Sequence, residues 1–213
     1  MAGARETGGR PSKTQNTRSE VSPPKTEDQI REVTVGEVEP LIGLIQIAAY
    51  DGEWPLLFER EDARIRAALK ERVVSLEHVG STSVPGLAAK PRIDMLLVVA
   101  DSADEPAYLP ALESAGYVLR IREPDWHEHR VLKGPDTDVN LHVFTAGSSE
   151  IDRMLLFRDW LRSNASDRRL YEQTKRKLAE KDWKYTQNYA DAKTEVVEEI
   201  LARAQGAREK GGL

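Results

Sequence analysis

The sequence predicts an α/β (α+β) protein: a mixed sheet core flanked by helices, followed by a helical C-terminal part. Three observations carry this. IDMLLVVA, Ile93 to Ala100, is a continuous apolar run of the kind found in a strand buried on both faces. Strand-like and helical patterns alternate from Trp54 to Phe144, and from Ser149 onward the spacing is entirely helical. The expected organisation is a disordered tail over 1–28, an α/β core over 29–148, a helical part over 149–205 packed on it, and a disordered tail over 206–213.

In chain order, Met1 to about Lys25 is rich in Gly, Ser, Thr, Pro, Lys and Arg, with almost no large apolar side chain to offset chain entropy. Val33 and Val35 alternate like a short strand, which sets the ordered start near Gln29. WPLLFEREDARIRAALKER follows Asp51 and puts Trp54, Leu57, Phe58, Ile65 and Leu69 on one stripe, with Pro55 in the first turn, so it reads as an amphipathic helix. VVSLEHV is a strand and EPAYLPALESAGY a helix. VLRIRE, HRVLK and DVNLHVF are three further strands, the last two joined by the turn GPDT. IDRMLLFRDWLRSN, DRRLYEQTKRKLAEKD and NYADAKTEVVEEILARA are three amphipathic helices, with Asp167 the expected cap of the second.

Composition narrows the chemistry. The 213 residues carry a formal net charge of -5 and contain no cysteine. Any chemistry therefore uses hydroxyl, carboxylate, imidazole or amine groups, and the expected compartment is the cytoplasm. No stretch approaches the roughly 20 apolar residues of a bilayer span, and no secretory signal is present, so no membrane role is expected. The acidic balance argues against nucleic acid as a partner, while leaving room for a local basic patch that holds a phosphate-bearing small molecule.

The stretch HVGSTSVPGLAAKPRID concentrates the special residues. Gly80 ends a strand where the chain must turn, and Ser81, Thr82 and Ser83 bring hydroxyls and backbone N–H groups to that turn, a plausible phosphate cradle. A solvated strand-to-loop turn is the bland alternative. The spacing rejects a P-loop, because Lys90 stands four positions past Gly86 and is followed by Pro91. Asp94, heading an apolar strand, must be paired or coordinated, which makes it the best metal-ligand candidate; its structural alternative is an ion pair with Lys90 or Arg92. Strand alternation puts Asp138, Asn140 and His142 on one face, where Asp138 and His142 can complete a site centred on Asp94.

HVGSTSVPGLAAKPRIDMLLVV, VNLHVF, FRDWLR, YEQTKRKLA and YADAKTEVVEEI resemble the GrpB family, a branch of the nucleotidyltransferase superfamily, over about Trp54 to Ala204. The resemblance implies a nucleotidyltransferase-like mixed sheet, with Gly80 and Ser81 matching the Gly-Ser turn after the first strand and Asp94 matching a metal-binding carboxylate. It implies Mg2+ or Mn2+ bridging triphosphate oxygens during transfer to a small acceptor. The second carboxylate expected two positions before Asp94 is replaced by Arg92. GrpB-like domains also occur attached to dephospho-coenzyme A kinases.

The remaining candidates are basic or aromatic. His127 to Arg130 offers two imidazoles on one face if extended, and Arg130 as a guanidinium that can fork onto phosphate. His78 is placed to orient the Gly80 loop. Tyr171 and Lys175, and Tyr189 and Lys193, repeat an i, i+4 aromatic-basic spacing that puts each lysine beside a tyrosine. The expected site is thus Asp94 and His142 as catalytic groups, Asp94 and Asp138 as metal ligands, and Gly80, Ser81, Thr82, Lys90, Arg130, Tyr171, Lys175 and Lys193 for nucleotide or phosphate. The leading reading is a metal-dependent transferase of a nucleotidyl or related group onto a small acceptor; the alternatives are a phosphate-ligand binding or regulatory module and a helper domain of a partner enzyme.

Overall fold

A computed structural model describes residues 24–211. Of the tail expected over residues 1–28, residues 1–23 lie outside the described residues. In order, the elements are α1 (Glu27–Val33), α2 (Glu53–Leu69), β1 (Ser75–Val79), β2 (Ile93–Val99), α3 (Glu105–Ser114), β3 (Val118–Glu123), β4 (His129–Lys133), β5 (Val139–Thr145), α4 (Ser149–Ser163), α5 (Ala165–Ala179), α6 (Thr186–Asp191) and α7 (Thr194–Glu209).

The five strands form one mixed sheet in the order β1-β2-β5-β4-β3. β2 and β5 run parallel, with Asp94 opposite Asn140 and Leu96 opposite His142, and the other pairs are antiparallel. Ile93, Met95, Leu97 and Val99 alternate with Leu96 and Val98, so β2 is apolar toward both faces. On one face they join Val139, Leu141 and Val143 under α2 and α3, around Trp54, Ile65, Leu69 and Leu112. On the other, Leu96, Val98 and Phe144 meet Ile151, Met154 and Leu155 of α4. A third cluster, Val84, Leu87, Leu161, Tyr171, Val196 and Ile200, ties α4, α5 and α7 to the loop after β1. Among the described residues no helix is long and apolar enough to cross a membrane.

Four local expectations are corrected. Residues 27–33 are helical because Thr26 and Gln29 form a capping box, which outweighs two alternating valines; Val35 only donates its N–H to the Arg120 carbonyl at the free edge of β3. Order thus begins before Gln29. Asn164, not Asp167, caps α5, accepting the Asp167 N–H at 2.9 Å, while Asp167 accepts from Trp160 and Arg203. The last helix predicted as one piece is two, α6 and α7, separated at Ala192–Lys193, and α7 continues to Glu209, past the boundary at 205.

Lys25 also belongs to the folded part. Its backbone N–H donates to Asp191 at 2.8 Å and its ammonium pairs with Glu123. Lys25→Ala is expected to lower stability by about 1 kcal/mol at most, because the lysine is a third exposed, a shift of a few degrees in thermal melting. An unchanged melting temperature would mean that the pair contributes nothing.

Candidate functional site

The site forms at the N-terminal end of β2 and β5, on the face covered by the C-terminal helices. Gly80 has φ +69° and ψ -172°, a region almost reserved for glycine, and a Cβ there would lie 2.5 Å from Asp94 Oδ2. Both the turn and the carboxylate beside it therefore require glycine. Ser81–Ser83 then form one 3-10 turn. Its opening N–H groups, those of Ser81 and Thr82, have no acceptor within the turn.

The turn is clamped from behind. Ser83 Oγ donates to the Gly80 carbonyl at 2.6 Å, and Arg162 of α4 donates to the Ser83 carbonyl at 2.9 and 3.1 Å. Arg158 reaches the His78 carbonyl at 3.2 Å and Glu77 at 2.8 Å. His78 Nε2 lies 3.1 Å from Thr82 Oγ1, which donates to the Arg92 carbonyl at 3.0 Å. His78 thus does orient the loop. Thr82, 1% exposed, faces inward rather than toward a ligand. Ser81 is half-buried, with Tyr171 turned toward its hydroxyl.

Asp94 Oδ1 accepts the Asn140 amide at 2.9 Å and lies 3.8 Å from His142 Nε2. Burial opposes its ionisation, but His142, Asn140 and Arg92 together hold its pKa below the ordinary carboxylate value. Neither Lys90 nor Arg92 is its ion-pair partner: Arg92 donates to Asp138 at 2.8 Å, and Lys133 lies 3.6 Å from the same carboxylate. Asp138 is consequently spent on two cations. Arg92 stands where a second ligand would be, and among the described residues no group of three or more His, Asp or Glu is placed to hold a metal. A protein-built divalent centre does not fit this donor set.

What surrounds Asp94 is basic. Lys90, Lys133, Lys175 and Lys193 all lie within the field of its carboxylate. In each, burial lowers the ammonium pKa, to about 8 for Lys133 and about 7 for Lys175. Lys133 donates to Asn140 Oδ1 at 2.6 Å and so joins the site, a role the sequence reading missed. The GPDT turn would not have found it, since counting outward from that turn sets Lys133 against Asp138, whereas the observed register sets it against Asn140.

Both expected tyrosine-lysine pairs form: Lys175 Nζ is 4.8 Å from the Tyr171 ring centre and Lys193 Nζ 4.5 Å from that of Tyr189. They differ in access. Lys175 is 2% exposed and donates to the Ala88 carbonyl at 2.5 Å, while Glu172 accepts the Ala88 N–H at 3.3 Å. Lys175 therefore fastens the loop rather than meeting a ligand, whereas Lys90 and Lys193 remain partly exposed. Arg130 departs furthest from expectation. It pairs across the sheet with Val143, on the face opposite Asp94, is 4% exposed, and is held by Glu105 at 2.6 Å and Glu128 at 3.2 Å. His127 and Glu128 have positive φ, so the HEHR run is not extended.

A Gly-Ser turn after the first sheet strand, facing a carboxylate on the neighbouring strand of a five-stranded mixed sheet with helices on both faces, defines the class as an α/β protein with a mixed sheet core. A family model described as GrpB protein matches residues 44–203, and the chain belongs to the GrpB family. A UPF0157 protein of Halalkalibacterium halodurans is 62% identical over 183 residues, 86% of this chain and 94% of its own. The crystal structure of the conserved protein GrpB from Enterococcus faecalis matches with a TM-score of 0.68 at 31% identity, covering 76% of this chain and 99% of that one. A dephospho-CoA kinase of Mycolicibacterium paratuberculosis is 28% identical over 158 residues, 62% of this chain but 39% of its own. Cid1 in complex with its short product ApU matches with a TM-score of 0.43 at 16% identity, covering 62% of this chain and 39% of that one.

Proposed function

We propose that this protein binds a phosphate-bearing small molecule, with a nucleoside triphosphate the first candidate, at the Gly80–Ser81 turn beside Asp94. One observation carries the reading: in a chain of net charge -5, the basic groups Lys90, Arg92, Lys133, Lys175 and Lys193 gather around Asp94. Such charge density is costly to bury unless an anion joins it. A phosphate supplies that anion, and the lysines supply countercharge that superfamily relatives draw from a carboxylate-bound metal.

Transfer of a nucleotidyl or related group to a small acceptor is the second reading. It is favoured by Asp94 and His142, which bring two proton-accepting groups to the same end of the site. A regulatory role beside a coenzyme A-forming enzyme draws support from the kinase relative alone.

The test is binding of ATP, UTP, inorganic triphosphate and coenzyme A, with and without Mg2+ or Mn2+, followed by thermal melting and calorimetry. A ligand at about a hundred times its dissociation constant adds roughly 2.7 kcal/mol of stability. Ser81→Ala is expected to weaken binding by about 1–2 kcal/mol, and Lys193→Ala by at least as much, with little change in folding. Affinity should also fall as pH rises from 7 to 9. Anion binding favours the ammonium forms, and Lys133, with a pKa of about 8 in the free site, must then be reprotonated. Absence of stabilisation by every ligand, or an affinity indifferent to Lys193, would overturn the proposal.

A further inference from the structure

On the same sheet face, a line of side chains crosses three strands. The Glu123 carboxylate, on β3, lies 2.8 Å from His129 Nδ1, and His129 Nε2, on β4, lies 3.0 Å from His142 Nδ1, on β5. The two imidazoles are stacked at 8° with centres 5.2 Å apart, and His129 is stacked in turn on Phe144. His142 Nε2 ends the line, 3.8 Å from Asp94 Oδ1, too far for a direct hydrogen bond.

Donors and acceptors along this line can be assigned from one end. Burial raises the pKa of Glu123, but hydrogen bonds from His129 and Lys25 outweigh it and bring the value to about 2, so the group is a carboxylate and only accepts. His129 Nδ1 must therefore carry hydrogen. Burial keeps His129 neutral, with a pKa lowered to about 4, so its Nε2 has a lone pair and only accepts. His142 Nδ1 must then donate. In neutral His142 that leaves Nε2 bare and directed at the site; only the doubly protonated ring has an Nε2–H with which to hold down the Asp94 pKa.

We propose that Glu123 and His129 are positioning residues that fix His142 with Nδ1 protonated, presenting bare Nε2 beside the Asp94 carboxylate as a receptor for a hydroxyl or amine of the ligand. A donor group seated beside the two acceptors, which are 3.8 Å apart, comes within hydrogen-bond reach of both, whereas they offer nothing to an ionised phosphate oxygen. The site then has two chemically distinct ends: lysines for the anion, Asp94 and His142 for a donor group. If that group is a hydroxyl that reacts, its O–H bond breaks, the electron pair stays on oxygen, and the proton forms an N–H bond at His142 Nε2. Because Glu123 remains ionised beside Lys25, it orients the imidazoles rather than taking the proton itself.

The consequence for ligand choice rests on the phosphate-binding reading, but the tautomer is a property of the free protein and is measured without ligand. Nitrogen-15 NMR of the full chain near pH 7.5 reads the protonation of each ring nitrogen, the four histidines being assigned by single His→Gln variants. The expected result is hydrogen on Nδ1 and none on Nε2 for both His129 and His142. Hydrogen on His142 Nε2 would overturn the proposal. His129→Phe keeps the stack on Phe144 but removes the acceptor, and His142 should then revert to the Nε2-protonated form that free imidazole prefers. An unchanged His142 in that variant, folded as judged by circular dichroism, would remove His129 from its positioning role. If the variant fails to fold, the wild-type spectrum alone decides. Failure of every phosphate ligand to bind would sink the functional reading while leaving this measurement standing.

Discussion

Gly80→Ala is expected to destabilise the protein by roughly 2–6 kcal/mol, summing a glycine-only backbone conformation and an overpacked neighbour. The added methyl group would lie 2.5 Å from Asp94 Oδ2. Either the turn abandons its φ of +69° or the carboxylate moves, and both disturb the end of the site where Asp94 meets Asn140. Phosphate-ligand binding should therefore disappear even if stability falls only by the smaller amount. Denaturant unfolding and calorimetry on the same sample measure both. A variant as stable as the wild type with unchanged affinity would show that the glycine is incidental.

Asp94→Asn separates the two ways in which this carboxylate can matter. The Asn140 amide can still donate to the new side-chain oxygen, so the fold should survive with a loss of about 1–2 kcal/mol. Breaking a buried ion pair would instead cost about 3–5 kcal/mol. The wild-type carboxylate, with its pKa depressed in the folded state, contributes stability that is present above the unfolded value of about 3.9 and is lost as pH falls through the lower folded value. That acid-limb dependence should be absent from the variant. Removing one negative charge from among five basic groups should leave metal-free affinity for inorganic triphosphate equal or higher. Any transfer reaction should be lost. A fall in metal-free affinity of tenfold or more would mean that Asp94 itself holds the ligand, against the lysine-centred reading.

The parts of the fold legible in the sequence were those with a strong period. The apolar run of β2, the stripe of α2 and the β4–β5 hairpin all lie where alternation or helical spacing predicts. α1 was hidden because its signal is a four-residue capping box in polar sequence, and Asp167 was misread because Asn164 and Asp167 are both good capping residues and only geometry chooses between them. At the site, Gly80 and Asp94 were linked through the family resemblance, whose motif runs from the Gly-Ser turn to that carboxylate. Arg130 was not placed correctly, since a strand's period says that neighbours alternate without saying which parity faces the C-terminal helices and which faces α2 and α3. The Glu123–His129–His142 line was invisible for a related reason: it depends on the register of three strands at once.

The lone parallel pair, β2 with β5, has a consequence for how the molecule is made. Hairpins such as β3–β4 and β4–β5 close from short loops, whereas Asp94 and Asn140 meet only after the chain has returned across 46 residues. The clamp from Arg162 to Ser83 spans 79, and the clasp from Lys175 to Ala88 spans 87. Contacts of such separation carry a greater loop-closure entropy and are slow to form, so the binding site should be among the last features to appear during refolding. Ligand-binding competence would then lag behind recovery of secondary structure in a stopped-flow experiment. A fresh chain would acquire its hairpins before it acquired its chemistry.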